Sequence, residues 1–248
     1  MPDRRILITG GSGVLGSAIK QFLHDEDTWS PSRRELNVAA SSDWSDAIGN
    51  FEPTEIWHFA AETPANSDSR WYLDVNIMAT AYAAMFCQMN DIRLVYTSTD
   101  YVFGSCPDDQ APYDELSPVQ PWNDYAWSKL GGEAAVRMVE DYLIVRGSWY
   151  GDDTFEGWEY AATDNRTSKY YVRLAARDIA ELALSGWSGT VNVGMSEGRN
   201  LYHIAHIANN EPKRGFAADL GVPKTTALDT SLCQNLLKDP PSTRSATA

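Results

Sequence analysis

Short apolar runs alternate with stretches of helical spacing through the first two thirds of the chain. RRILITG (4–10) is a compact apolar run closed by glycine, which predicts a buried strand. SGVLGSAIKQFLH (12–24) follows, with Val14, Leu15, Ala18, Ile19, Phe22 and Leu23 at helical spacing. EIWHFAA (55–61) and IRLVYTST (92–99) read as further strands, separated by the helical pattern LDVNIMATAYAAMFCQM (73–89). YAWSKLGGEAAVRMVE (125–140) reads as a helix weakened by Gly131 and Gly132, and YLIVRGS (142–148) as another strand. The order predicts an α/β fold: a Rossmann-type doubly wound parallel sheet with helices on both faces.

After Gly151 the pattern loosens. DDTFEGWEYAATDNRTSK shows no clear period. VRLAARDIAELALS reads as helix, GTVNVGM as strand and LYHIAHIANN as helix. The chain of 248 residues, 43% hydrophobic, suffices for one sizeable core, or for one core with a small second lobe. No apolar run approaches the ~18 residues of a membrane span. MPDRRILITGG leaves too little before its first turn for a signal peptide. Cys87, Cys106 and Cys233 show neither zinc spacing nor a disulfide framework, so a reduced, cytoplasmic protein is expected. The net charge of −14 argues against nucleic acid as a partner. His203 and His206 share a helix face, but no third ligand accompanies them, and no metal is expected.

TGGSGVLG (9–16) changes the picture. Gly10, Gly13 and Gly16 satisfy GxxGxxG, and Gly11, Gly13 and Gly16 satisfy GxGxxG. The pattern lies between a predicted strand and a predicted helix, the context in which such glycines cradle a dinucleotide pyrophosphate. The second strand, TWSPSRREL, is poor, but Ser32, Arg33 and Arg34 fall where it should end beside the adenosine ribose. Arginine and hydroxyl groups there suit a 2′-phosphate, so NADPH is favoured, with NADH as the alternative.

Tyr125 and Lys129 stand four apart and share a helix face. A phenol ionises near pH ~10, and a neighbouring ammonium is expected to draw that value down, so that the tyrosine exchanges a proton with a carbonyl near neutrality. Thr99 supplies a third hydroxyl at the end of a strand.

TGGSGVLG, HFAAET (58–63), Asn76 in DVN, TSTDYVFG (97–104), YAWSK (125–129) and VRGSWYG (145–151) follow one another as in extended short-chain dehydrogenase/reductases. The chain most resembles the dTDP-4-dehydrorhamnose reductase (RmlD-like) branch, over about residues 4–151, and TALDTSLCQNLL (226–237) resembles that branch's C-terminal segment. The resemblance implies that Tyr125 is the proton donor, Lys129 the residue binding nicotinamide ribose, and Thr99 the hydroxyl member of the triad. It implies a pyrophosphate loop of Gly10, Gly11, Ser12, Gly13, Val14, Leu15 and Gly16. Ala60 and Ala61 would flank the adenine-side ribose, with Ser32, Arg33, Asn37, Val38, Thr63 and Asn76 as further cofactor positions. Asp100, Tyr101 and Trp149 match positions that line the sugar pocket. Related 4,6-dehydratases carry Asp-Glu after the triad threonine; Tyr101 stands in place of the second acid, which fits reduction rather than elimination.

The organisation implied is an NADP(H)-binding Rossmann domain over 1–150, joined by part of 170–195, a substrate-binding lobe over 151–238, and a disordered tail over 239–248. Two departures stand out: Asn37 replaces the branch's usual aspartate, and the lobe after Gly151 is compressed. The function implied is an NADP(H)-dependent reductase of a 4-keto sugar nucleotide. A non-catalytic RmlD-like regulatory subunit and a sugar-nucleotide epimerase stay open as alternatives, and the aromatic-rich surface leaves a homodimer open.

Overall fold

The computed structural model describes residues 4–63 and 69–239. The tail expected to be disordered lies outside these, except for Asp239. Among the described residues, six parallel strands form the central sheet: β1 (Arg5–Thr9), β2 (Asp27–Trp29), β3 (Glu55–His58), β4 (Arg93–Thr97), β5 (Tyr142–Arg146) and, after four short strands, β10 (Gly189–Asn192). Their spatial order is β10-β5-β4-β3-β1-β2. The chain leaves β1 for β2 on one side and returns to β3 on the other. A crevice therefore opens at the carboxyl ends of β1 and β3, where open α/β sheets bind ligands.

The apolar runs are continuous because helices cover both sheet faces. Alternate residues of each strand point to opposite faces. Ile6, Ile8, Trp57, Val95, Val145 and Val191 pack under the helices Val14–Ile19 and Val172–Leu184. Leu7, Ile56, Leu94, Tyr96 and Ile144 pack on the other side with Trp44, Ala83 and Val136. The helix carrying Trp44, Ser41–Phe51, has no counterpart in the sequence reading.

Two predicted helices differ in an informative way. Within the pattern at 73–89, Tyr72–Met78 is wound as π-helix before α-helix resumes at Ala79–Met89. Such widened turns often mark functional sites. The helix Asp124–Val136 keeps both glycines that weaken its propensity. A Cβ on Gly132 would stand 2.3 Å from the Tyr96 hydroxyl, so the glycine lets the helix lie directly on β4. Asn123 caps that helix by accepting from the Ala126 N–H at 2.9 Å. The weak second strand is real but ends at Trp29, before Ser32 and Arg33.

Beyond β5 the chain forms three two-stranded parallel ribbons. They pair β6 (Trp149–Tyr150) with β9 (Tyr170–Tyr171), β7 (Tyr160–Ala162) with β11 (Lys213–Gly215), and β8 (Arg166–Thr167) with β12 (Thr225–Thr226). A satellite core of Phe155, Ala161, Ala162, Leu201 and Ile204 lies beneath them. Among the described residues, no helix is long and apolar enough to cross a membrane.

Candidate active site

The crevice beside β1 holds a cavity of about 590 Å³ lined by Gly10 to Gly13, Ser32, Arg33, Asn37, Val38, Ala60 and Ala61. Gly10 takes a positive φ of 69°, and a Cβ there would meet the Ala60 backbone nitrogen at 2.5 Å. The first glycine thus makes the turn and lets the loop close on the end of β3. A Cβ on Gly16 would stand 2.3 Å from the Gly10 carbonyl oxygen, so this glycine serves helix-to-loop packing. Leu15 points into the core, while Ser12 and Val14 are exposed. A bare backbone rim with polar groups at its far end fits a dinucleotide.

At that far end Ser32 and Arg33 are exposed, and the Arg33 guanidinium lies 5.9 Å from the Trp71 ring centre. Glu35 also lines the cavity. Its carboxylate accepts the Ser32 N–H at 2.8 Å, and hydrogen bonding by Ser32 holds its carboxyl below the usual range. Asn37 is fixed by donating its backbone N–H to Asp43 at 3.0 Å, and the Val38 carbonyl accepts from Trp44 at 2.8 Å. Lys20 and Ser30 line the same cavity, and the sequence reading missed both. Ser30 is missed because its contact with Gly11 is made only on folding. Thr63 is exposed at the end of the loop after β3.

Asn76, set by the π-helical turn, is fully buried and braces that loop. Its side-chain oxygen accepts from the Glu62 N–H at 2.8 Å. Its side-chain nitrogen donates to the Glu62 carbonyl at 3.0 Å and to Ser128 Oγ at 2.9 Å. Ser128 Oγ then donates to the Tyr125 carbonyl at 2.7 Å. The side chain expected at the cofactor is thus occupied in tying the cofactor-side loop to the helix of Tyr125.

Thr99 ends the run from β4 and caps the following turn, its Oγ1 accepting from the Tyr101 N–H at 3.2 Å. The Asp124–Val136 helix aims Tyr125, Lys129 and Glu133 along one face. Tyr125 is half-buried, with the Tyr72 ring set edgewise at 6.0 Å. Burial pushes its phenol well above the ordinary value; Asp100, Tyr72 and Tyr101 push the same way, and the Thr99 hydroxyl opposes them. This corrects the expectation that Lys129 draws the phenol down. Lys129 directs its ammonium over the Tyr96 ring, 4.2 Å from its centre. Burial pushes that ammonium down to about 7, against the pull of Glu133. Glu133 is held by Arg146 in a two-pronged buried pair at 3.0 and 2.8 Å, which fixes the helix against β5.

The three residues expected at the sugar have different surroundings. Tyr101 is half-buried, and its phenol is pushed up by burial and by Asp100. Trp149 is half-buried and packs on the core beside Tyr170, while its carbonyl accepts from Lys169 at 3.1 Å. Asp100 has no exposed surface, and its carboxylate is taken up by protein hydroxyls. Two of these are on Thr167, in a stretch without a period, and Thr226, which opens TALDTSLCQNLL; both reach Asp100 only on folding, which is why the sequence reading missed their role. His203 and His206 part ways, one beside Arg199 and the other on the Asn210 carbonyl. Among the described residues, no group of three or more His, Cys, Asp or Glu could hold a metal.

The sequence family described as the RmlD substrate binding domain matches residues 4–174. The chain is 33% identical over 155 residues to a dTDP-4-keto-6-deoxy-D-glucose reductase of Streptomyces niveus, covering 59% of this chain and 53% of that protein. It is 34% identical over 151 residues to methionine adenosyltransferase 2 subunit beta of Xenopus tropicalis, covering 55% and 43%. The chain spans about half the length of the curated relatives it matches. Among solved structures it is similar to a dTDP-4-dehydrorhamnose reductase of Bacillus anthracis in complex with NADP. The TM-score is 0.84 at 24% identity, over 97% of this chain and 95% of that one. A dTDP-4-dehydrorhamnose reductase of Yersinia enterocolitica gives a TM-score of 0.78 at 25% identity, over 96% and 94%. The match runs from before β1 into the Val172–Leu184 helix, through the cradle and the Tyr125 helix alike, and on that span the chain belongs to the RmlD substrate binding domain family.

Proposed function

We propose that the protein is an NADP(H)-dependent reductase of a 4-keto sugar nucleotide. The observation that carries this is Tyr125 and Lys129 on one face of the Asp124–Val136 helix, with Thr99 at the end of the β4 run, at the carboxyl edge of the sheet that also holds the glycine cradle. The relatives named as reductases and the neighbour solved with NADP support it. The cofactor, when bound along Gly10–Gly13, supplies a hydride to the keto carbon. Thr99 orients the carbonyl oxygen with its hydroxyl. Tyr125, kept protonated by burial, delivers its phenolic proton to that oxygen as charge develops there. Lys129, whose ammonium burial lowers to about 7 in the protein alone, gains partners for that ammonium when ribose hydroxyls arrive. The test is NADPH oxidation with a panel of 4-keto sugar nucleotides. Turnover of at least one supports the reading, and none with a well-folded, NADPH-binding protein overturns it.

A second reading, a nucleotide-binding regulatory subunit, is favoured by the methionine adenosyltransferase subunit beta relatives and by the lobe. A cavity of about 740 Å³ in the lobe is lined by Asp152, Asp153 and Glu156 with Tyr150 and Tyr171. Three carboxylates repel a diphosphate. Tight NADPH binding without turnover would select this reading. The epimerase reading would show held NAD and no net cofactor consumption. The homodimer is supported by exposed Met78, Met85 and Met89 on one helical run and by Trp127 and Met138 beside it. Light scattering that gives a monomer mass would remove it.

A further inference from the structure

We propose that Asp100 is a positioning residue whose buried carboxylate ties the lobe strands β8 and β12 to the Thr99 turn and sets a carboxylate charge beside Thr99. The proposal rests on the reductase reading. An aspartate opening a short turn ordinarily caps it, but here Thr99 is the cap. Among the described residues, the hydrogen-bond partners of the Asp100 carboxylate are side-chain hydroxyls from four separate segments. One oxygen accepts from Thr226 at 2.8 Å, Ser148 at 2.9 Å and Thr167 at 3.3 Å. The other accepts from Thr99 at 3.4 Å. Thr167 and Thr226 are direct cross-strand partners in the β8–β12 ribbon, so both hydroxyls leave the same face toward one oxygen.

A carboxylate with no exposed surface is costly to bury unless it is compensated. The hydroxyls supply hydrogen bonds without cancelling the charge. Asp100 acts on the Lys169 ammonium, which donates to the Trp149 carbonyl at 3.1 Å. Toward Tyr125 the field of Asp100 is joined by Tyr72 and Tyr101, with Lys129 on the helix of Tyr125 itself. After burial, Asp100 is the largest influence holding the Tyr125 proton in place. The same carboxylate thus joins the lobe to the reacting end of β4 and keeps the phenol in its donor form.

The experiment uses the full chain with Asp100→Asn, which removes the charge and keeps the shape, and Thr226→Val, which removes a hydroxyl donor and keeps the charge. In Asp100→Asn the alkaline fall of kcat should move to lower pH by roughly one pH unit, the scale of one neighbouring charge, with NADPH affinity unchanged. In Thr226→Val the alkaline fall should stay in place, while hydrogen exchange of the β8 and β12 amides should quicken at least threefold. Superimposable pH profiles for wild type and Asp100→Asn would overturn the electrostatic role. Unchanged exchange in Thr226→Val would overturn the tie, and that measurement needs neither substrate nor a foldable Asp100 variant. If wild type turns over no 4-keto sugar nucleotide, the reductase reading fails, and the exchange result still decides the tie.

Discussion

The Lys129 ammonium lies 4.2 Å over the centre of the Tyr96 ring, and the Tyr96 hydroxyl donates to the Lys129 carbonyl at 3.1 Å. The two residues grip each other across the seam between β4 and the Asp124–Val136 helix. Gly132, with no side chain, is what brings that seam close enough. The ring face attracts the cation, but it does not replace lost water, and Lys129 retains 2% exposure. The protein therefore carries a lysine whose charge is unfavourable until a ligand reaches it.

Removing that charge should stabilise the fold while ending catalysis. Burial lowers the Lys129 ammonium from 10.5 to about 7. The folded state is thus penalised in full below about 7, and the penalty fades as pH rises toward 10.5. Lys129→Met should raise Tm by at least ~3 °C at pH 7, the shift expected of about 1 kcal/mol in a chain of this size. The gain should shrink between pH 7 and pH 10.5. Calorimetry at several pH values would show it, and an equal or lower Tm at pH 7 would mean that Lys129 packing outweighs its desolvation.

His58 should make the protein acid-sensitive. Its ring is fully buried, with Nδ1 2.8 Å from Thr9 Oγ1, and burial, aided by Lys129, lowers its value from 6.5 to about 3. Between those values the unfolded chain takes up a proton that the folded chain refuses, so stability falls as pH falls. The slope contributed is at most ~1.4 kcal/mol per pH unit. His58→Asn should flatten the loss between pH 6.5 and pH 3 in urea unfolding. Parallel curves for the two proteins would assign the acid sensitivity elsewhere.

The sheet was legible because its strands are buried on both faces and read as unbroken apolar runs, as in RRILITG and YLIVRGS. The glycine cradle and the Tyr125–Lys129 spacing were legible because their chemistry is local in sequence. The direction of the Tyr125 shift was not, because it depends on Asp100, Tyr72 and Tyr101, which only folding brings to the phenol. The burial of Asp100 was hidden for the same reason: its partners Ser148, Thr167 and Thr226 are up to 126 residues away. The Ser41–Phe51 helix was missed because few apolar residues mark it, and Trp44 and Ala47 are its buried ones.

Tyr125→Phe should lose turnover by about 10²–10⁴-fold, the usual worth of a positioned proton donor. NADPH should bind with little change, because Tyr125 does not line the cavity that the glycine cradle and Arg33 form. The ring contact with Tyr72 survives in phenylalanine, so folding should be unaffected. Steady-state rates alongside a cofactor titration separate the two effects. Unchanged turnover would take the proton-donor role away from Tyr125.

Cofactor choice turns on Arg33 and Glu35, which share the far end of the cradle. A carboxylate there favours a free ribose hydroxyl, whereas a guanidinium favours a 2′-phosphate. The geometry separates them. Glu35 turns its carboxylate to the Ser32 N–H at 2.8 Å, so part of its accepting capacity is spent within the turn. Arg33 is exposed, stacked loosely near Trp71, with its donors open to an arriving phosphate, and Lys20 adds a second cation on the same wall. Arg33→Ala should therefore weaken NADPH about tenfold or more and NADH much less, the scale of one charge-assisted hydrogen bond. Fluorescence titration of wild type and variant with both cofactors gives the four constants needed. If NADH binds wild type at least as tightly as NADPH, or if the variant weakens both equally, Arg33 does not read the phosphate. Glu35→Gln would then be the informative change, because a Glu35 that reads the ribose should lose NADH affinity when its charge is removed.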